Sequence, residues 1–206
     1  MNGRATLHPQ VQRVMPVALH PEILRRILSN RIGVVLLTEP RAARLVPGDV
    51  LWVREPLTIP LRQPEGGFLD VVHGGDGQLR RLRWPRVLAR PGERQLPAEA
   101  MPVHASRVTL IVSRAQRIRL QQIGTDDAVG AGVTVEPEGY GNPLAHEQYF
   151  GSVAEAFGHL WDCALGGLAI GPLAWTCNPE VTQLEVRAVM RNVADLVPGL
   201  GSGGAR

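Results

Sequence analysis

A chain of 206 residues that is 44% hydrophobic and 20% charged has the make-up of an ordinary soluble globular protein with one real core. No apolar run approaches the roughly 18 residues that cross a bilayer, and the opening MNGRATLHPQ lacks the apolar stretch of a secretory leader; a cytoplasmic protein with no membrane partner is therefore expected. The formal charge of +3 hides an asymmetry, since all 22 cations are arginine and 19 of them fall in residues 1–120 against 9 acids, while residues 121–185 hold 9 acids and no arginine. Either the acidic part folds back on the basic part, or one face presents a positive field to a polyanion. Two cysteines, Cys163 and Cys177, do not by themselves make a disulfide framework or a metal site. They read as reduced thiols, and neither a metal nor a cofactor is expected.

Residues 1–13 read as a frayed tail, residues 14–191 as a single domain and residues 192–206 as a flexible tail. VMPVAL (Val14 to Leu19) suggests a short strand. HPEILRRILSN follows with proline at an early helical position and Ile23, Leu24, Ile27 and Leu28 on one face, which predicts a helix over Pro21–Ser29. GVVLLT is a β-branched strand run, and PGDVLWVREPLTI is a turn and strand with Pro56 as a bend. FLDVV and QLRRLRW, joined by HGGDG, predict a hairpin. PRVLARPGERQLPAEAMP reads as a surface loop.

HASRVTLIVSRAQRIRL alternates apolar and polar residues, with Val108, Leu110, Val112, Ile118 and Leu120 on one parity and Arg107, Thr109, Ser113, Arg117 and Arg119 on the other. Arg114 and Gln116 break the inner face, so this long strand should bend or bulge. TDDAVGAG is a short helix stopped at Gly132. SVAEAFGHLWDCAL predicts a longer helix over Ser152–Ala164 with a Ser152/Glu155 capping box. A loop, GGLAIGPLAWTCNP, leads into a last alternating strand, EVTQLEVRAVM. Strands outnumber helices, which suggests an α+β protein built as a small mixed β-barrel with two or three peripheral helices.

Three of these segments carry a resemblance. PGDVLWVREP, MPVHASRVTLIVSRAQRIRLQQI with DDAVGAGV after it, and FGHLWDCALGGLAIGPLAWTCNP resemble, in the same order, the ASCH domain family. The larger branch of that family, common in bacterial and prophage genomes, typically shows GDxLWVRE, MPRWASRITLEV, EEDAIAEGI and a close ending in NPWVW. The resemblance implies a PUA-like barrel and a nucleic-acid partner, RNA ahead of DNA. Smaller relatives that hydrolyse acetylated cytidine carry a GRKTxT box and a glutamate after the long strand. Here that box reads NRIGVV: the arginine is kept as Arg31, but the lysine position is Ile32, the second threonine position is Val35 and the glutamate position is Ala131. Apolar side chains neither transfer a proton nor attack a carbonyl, so the resemblance implies a degenerate hydrolase site with no catalytic residue.

The candidate contacts follow from that reading. By the resemblance, Arg107 in ASR matches a family position beside the cleft, and Arg31 keeps the arginine of the box. Arg107 either meets a phosphate or base edge through its planar donor fork, or pairs with a carboxylate such as Glu55. Trp52 is read as core ahead of a stacking platform, and Arg54 shares its face. Arg81 and Arg83, with Arg80, Arg86 and the interleaved Trp84, form the densest basic patch; that pattern suits a single strand or a solvated hairpin face. His104 is read as a packed histidine and His159 as exposed. The expected function is a non-catalytic nucleic-acid-binding module using Arg31, Arg54, Glu55, Ser106, Arg107, Arg81, Arg83 and Trp84. The alternatives are a nucleoside or RNA hydrolase rebuilt on Glu55, His104 and Arg107, and a protein-interaction domain.

Overall fold

The computed structural model describes residues 13–29, 33–60, 68–83, 95–164 and 170–197. Among them the chain is α+β, with twelve strands in three sheets and four α-helices. The largest sheet runs β1 (Val14–Ala18), β3 (Val50–Arg54), β8 (Thr109–Arg119), β12 (Glu180–Val189) and β2 (Val34–Leu37) in spatial order. Only β1 and β3 are parallel; the other neighbours are antiparallel.

This sheet is covered on both faces. On one side Leu51, Val53, Leu110, Val112 and Leu184 pack with Leu24 and Ile27 of helix α1 (Pro21–Leu28). On the other, Val34 and Val181 pack with Ala128 of α2 (Thr125–Gly130) and with Phe157, Leu160 and Trp161 of α3 (Val153–Ala164). Strand β2 sends Val35 and Leu37 to the first cluster and Val34 and Leu36 to the second. Burial on both faces is why GVVLLT reads as an unbroken apolar run instead of an alternation.

The expected elements form where the sequence places them, with local reasons on view. Helix α1 starts at Pro21, whose missing N–H costs nothing there, and the His20 ring accepts the Glu22 N–H at 3.2 Å. Helix α3 is capped by Ser152, whose hydroxyl accepts the Glu155 N–H at 3.2 Å. The break expected in β8 is a bulge at Ser113: Val112 faces Val186 and Arg114 faces Glu185, so Ser113 has no opposite number. Its hydroxyl donates to the Glu185 carbonyl at 3.1 Å. The extra residue turns Ala115 toward the first cluster and leaves Arg114 outside, which accounts for the polar interruption of the inner face.

The strand-rich α+β class is as expected; among the described residues the large sheet is open, with β1 and β2 as its outer strands and no ladder between them. Three expectations need correction. Residues 134–150, given no structure from sequence, form an antiparallel sheet of β9 (Thr134–Glu136), β10 (Gly139–Asn142) and β11 (Ala145–Phe150). The flexible tail does not begin at residue 192. Asn192 donates to the carbonyls of Val103 and Ser106 at 2.8 and 2.7 Å and caps a short helix, α4 (Val193–Leu196), with Val193 fully buried. His159 is half-buried, not exposed: its ring packs on Phe150 and lies 2.8 Å from the Asn142 amide, tying α3 to the β9–β11 sheet. Among the described residues no helix is long and apolar enough to cross a membrane.

The third sheet matters most for the site. Its order is β6 (Leu79–Arg83), β5 (Phe68–His73), β4 (Leu57–Thr58) and β7 (Gln95–Leu96). Leu57, Leu69 and Val71 pack with Met101 and Ala105 beneath it, and β6 lies at its edge.

Candidate nucleic-acid interface

Glu55 follows β3 directly and Arg107 lies two residues before β8; the Val53 N–H donates to the Val108 carbonyl at 2.9 Å and sets the two strands side by side. The Glu55 carboxylate therefore meets the Arg107 guanidinium. Nε donates to Oε1 at 2.8 Å and Nη2 to Oε2 at 3.0 Å, with both residues about 98–99% buried. The outer edge of the same guanidinium is taken by the turn between β5 and β6. Nη1 and Nη2 each donate to the Asp76 carboxylate at 2.8 Å, and Nη1 also donates to the Gln78 side-chain oxygen at 3.1 Å. All five N–H donors of an arginine are thereby engaged.

Glu55 takes two further bonds, from His73 Nδ1 at 2.9 Å and from the Gly75 N–H at 2.9 Å. Burial pushes its pKa up, but the bonds from His73 and Arg107, the His73 charge and the Gly75 N–H outweigh burial and bring it down to about 2. Arg107 is likewise opposed by burial and held more firmly charged by Glu55 and Asp76. The Arg107 hydrogen bond holds the Asp76 carboxyl below its usual range.

The glycines of HGGDG serve this turn. A Cβ on Gly75 would stand 2.7 Å from Leu24 and 2.9 Å from the Glu55 carboxylate, and one on Gly74 would stand 2.7 Å from Pro56. Gly77 has φ +74°, the left-handed region that favours glycine. The loop can therefore seat itself tightly on α1 and Glu55.

Of the two readings open for Arg107, the structure selects the carboxylate pair. Arg107, Glu55 and Ser106 are not available to a polyanion: all three are buried, and the Ser106 hydroxyl sits 3.4 and 3.3 Å from the carbonyls of Val53 and Val108. Arg54 is half-buried, donates to the Glu99 carbonyl at 3.1 Å and lies 6.0 Å from the centre of the Trp52 ring, which is itself half-buried. Arg31 and Trp84 lie outside the described residues.

The arginines in the outer half of β8 stay exposed but find partners within the chain. Arg114 pairs with Glu185 at 3.1 Å, Arg117 pairs with Glu180, and Arg119 donates to the Asn178 carbonyl at 3.4 Å. Both acids belong to the acidic segment, so on this strand the two halves of the chain neutralise one another.

The β5–β6 hairpin differs. Arg80, Arg81 and Arg83 are exposed on an edge strand. Arg81 is held by Asp70 through two hydrogen bonds of 2.8 and 3.1 Å, which hold the Asp70 carboxyl below its usual range. Phe68, opposite Arg83 in the ladder, is 46% exposed. Sequence reasoning found these arginines but missed Asp76, His73 and Gln78, which fix where the hairpin points. The only signal for Asp76 was an acid inside a glycine-rich turn.

Val35 and Ala131, two of the substituted positions in the resemblance, both line a cavity of about 170 Å³ between β2 and α3, together with Phe157 and Trp161. His20, also on its wall, spends Nδ1 on its helix cap. Burial lowers the His104 pKa. No family model, curated protein or solved structure matches the chain.

Proposed function

We propose that this chain is a non-catalytic nucleic-acid-binding module, a PUA-like domain of ASCH type, with RNA ahead of DNA as its partner. The contact surface is the outer face of the β5–β6 hairpin, and Arg107 acts as the clasp that fixes that hairpin, not as a contact. The observation that carries this reading is the pair of exposed arginines Arg81 and Arg83 on the outer face of an edge strand whose turn is fastened by a buried guanidinium. The ordered ASCH-like motifs support the partner class. The apolar side chains of Val35 and Ala131 support the absence of hydrolysis.

Phosphate contacts release counterions, so affinity should fall with salt by roughly 0.7 in log–log slope per contact on a single strand. A face with two arginines, one of them already paired with Asp70, gives a slope of about one to two contacts and little sequence preference. Arg83→Ala should weaken binding and flatten the slope by about one contact, while Arg117→Ala, already paired with Glu180, should leave both unchanged. Fluorescence anisotropy at two salt concentrations measures this; binding that ignores both salt and Arg83→Ala contradicts it. Purified protein should also show no turnover of acetylated cytidine, and deacetylation detected by chromatography would show that chemistry survives.

A further inference from the structure

We infer that the hairpin face takes a single strand, with an unstacked base lying on the Phe68 ring; this rests on the nucleic-acid reading above. Strand β5 alternates cleanly: Leu69 and Val71 go to the core, while Phe68, Asp70 and Val72 face out. The ladder sets Phe68 opposite Arg83, Asp70 opposite Arg81 and Val72 opposite Leu79, so these six side chains share one face. That face exposes 46% of Phe68 and 59% of Leu79, apolar area that contributes nothing to the core.

Opposite residues in a ladder have Cβ atoms about 4.5–5.5 Å apart. A base on the Phe68 ring therefore leaves an adjoining phosphate within reach of the Arg83 fork. Every base has a π-face, so such a platform is tolerant of sequence, but a base can use it only when it is out of a duplex stack. A duplex offers this surface phosphates alone. It meets Asp70 in the middle of the face, where the carboxylate compensates Arg81. A flexible strand can set a base on Phe68 and a phosphate on Arg83 and skirt that carboxylate, while a rigid duplex cannot.

The test is anisotropy with labelled oligouridine of about ten nucleotides, within the span one small domain covers, against oligodeoxyuridine and an RNA duplex of equal length. Single strands should bind at least roughly tenfold tighter than the duplex. Phe68→Ala should lower single-strand affinity about 5- to 150-fold, the equivalent of one stacked base. Its salt slope should stay unchanged, and Phe68→Tyr should restore affinity. The two single strands show whether the sugar 2′-hydroxyl contributes. Duplex binding as tight as single-strand binding overturns the inference. So does an inert Phe68→Ala alongside a weakened Arg83→Ala, and in both cases the nucleic-acid reading stands. Absence of binding by every oligonucleotide at low salt overturns both.

Discussion

Arg107→Ala is expected to lower the free energy of unfolding by about 3–5 kcal/mol, the range seen when one partner of a buried ion pair is removed. The reason is what it leaves behind. Glu55 is 1% exposed and holds its charge through four hydrogen bonds, two of them from Arg107. Without the guanidinium, that carboxylate is buried with half its partners, and Asp76 and Gln78 lose their anchor. Arg107→Lys should recover little of the loss, because an ammonium keeps the charge but cannot span two carboxylates and an amide with a planar fork. Arg114→Ala, whose pair with Glu185 lies in solvent, should cost no more than about 1 kcal/mol. Chemical denaturation of the three variants reads these differences. An Arg107→Ala midpoint as close to wild type as that of Arg114→Ala would mean that the clasp does not hold the fold.

Acid should undo the same clasp. The Glu55 pKa is about 2 in the folded chain against a usual 4.5, so the folded state keeps the carboxylate charged at lower pH than the unfolded state does. Its contribution to stability is then fully present above about pH 4.5, erodes below that, and is gone once pH falls through about 2. At 1.36 kcal/mol per unit, this amounts to roughly 3 kcal/mol. Asp76, shifted in the same direction by Arg107, adds to the loss with the same sign. Glu55→Gln should be less stable at neutral pH and should show a shallower decline through the acid range. Stability curves for wild type and Glu55→Gln that run parallel between pH 4.5 and pH 2 would contradict this origin of the acid sensitivity.

Much of the fold was legible because it rests on local pattern. Parity along Val108–Leu120 marks the long strand, and its polar interruption marks the bulge at Ser113. Pro21 and Ser152 mark helix starts. Whether the sheet closes was not legible, since no residue of β1 or β2 signals what its outer edge meets; among the described residues no ladder joins them. Strands β9–β11 escaped because TVEPEGYGNPLAHEQYF is polar, rich in turn residues and without alternation; these strands are recognised by one another and by His159, not by their own sequence. Helix α4 is four residues long, and its one local signal is the Asn192 cap.

The site divides the same way. Arg80, Arg81 and Arg83 stand out as a charge cluster on a hairpin, and a hairpin is a local object. The role of Arg107 depends on partners 31 and 52 residues away in the chain, and one residue type serves phosphate and carboxylate equally well. Charge asymmetry between the halves could not say which arginines would be covered. Glu180 and Glu185 answer that for β8, and among the described residues no acid of 121–185 pairs with the hairpin arginines.

The most direct measurement of where nucleic acid lies is amide hydrogen exchange on the whole chain, with and without saturating oligouridine. Added protection should map to residues 68–83, on β5, the Asp76 turn and β6, while residues 114–119 of β8 exchange as they do in the free protein. Protection centred on β8, or on the β2–α3 cavity with the hairpin unchanged, would contradict an interface on the hairpin.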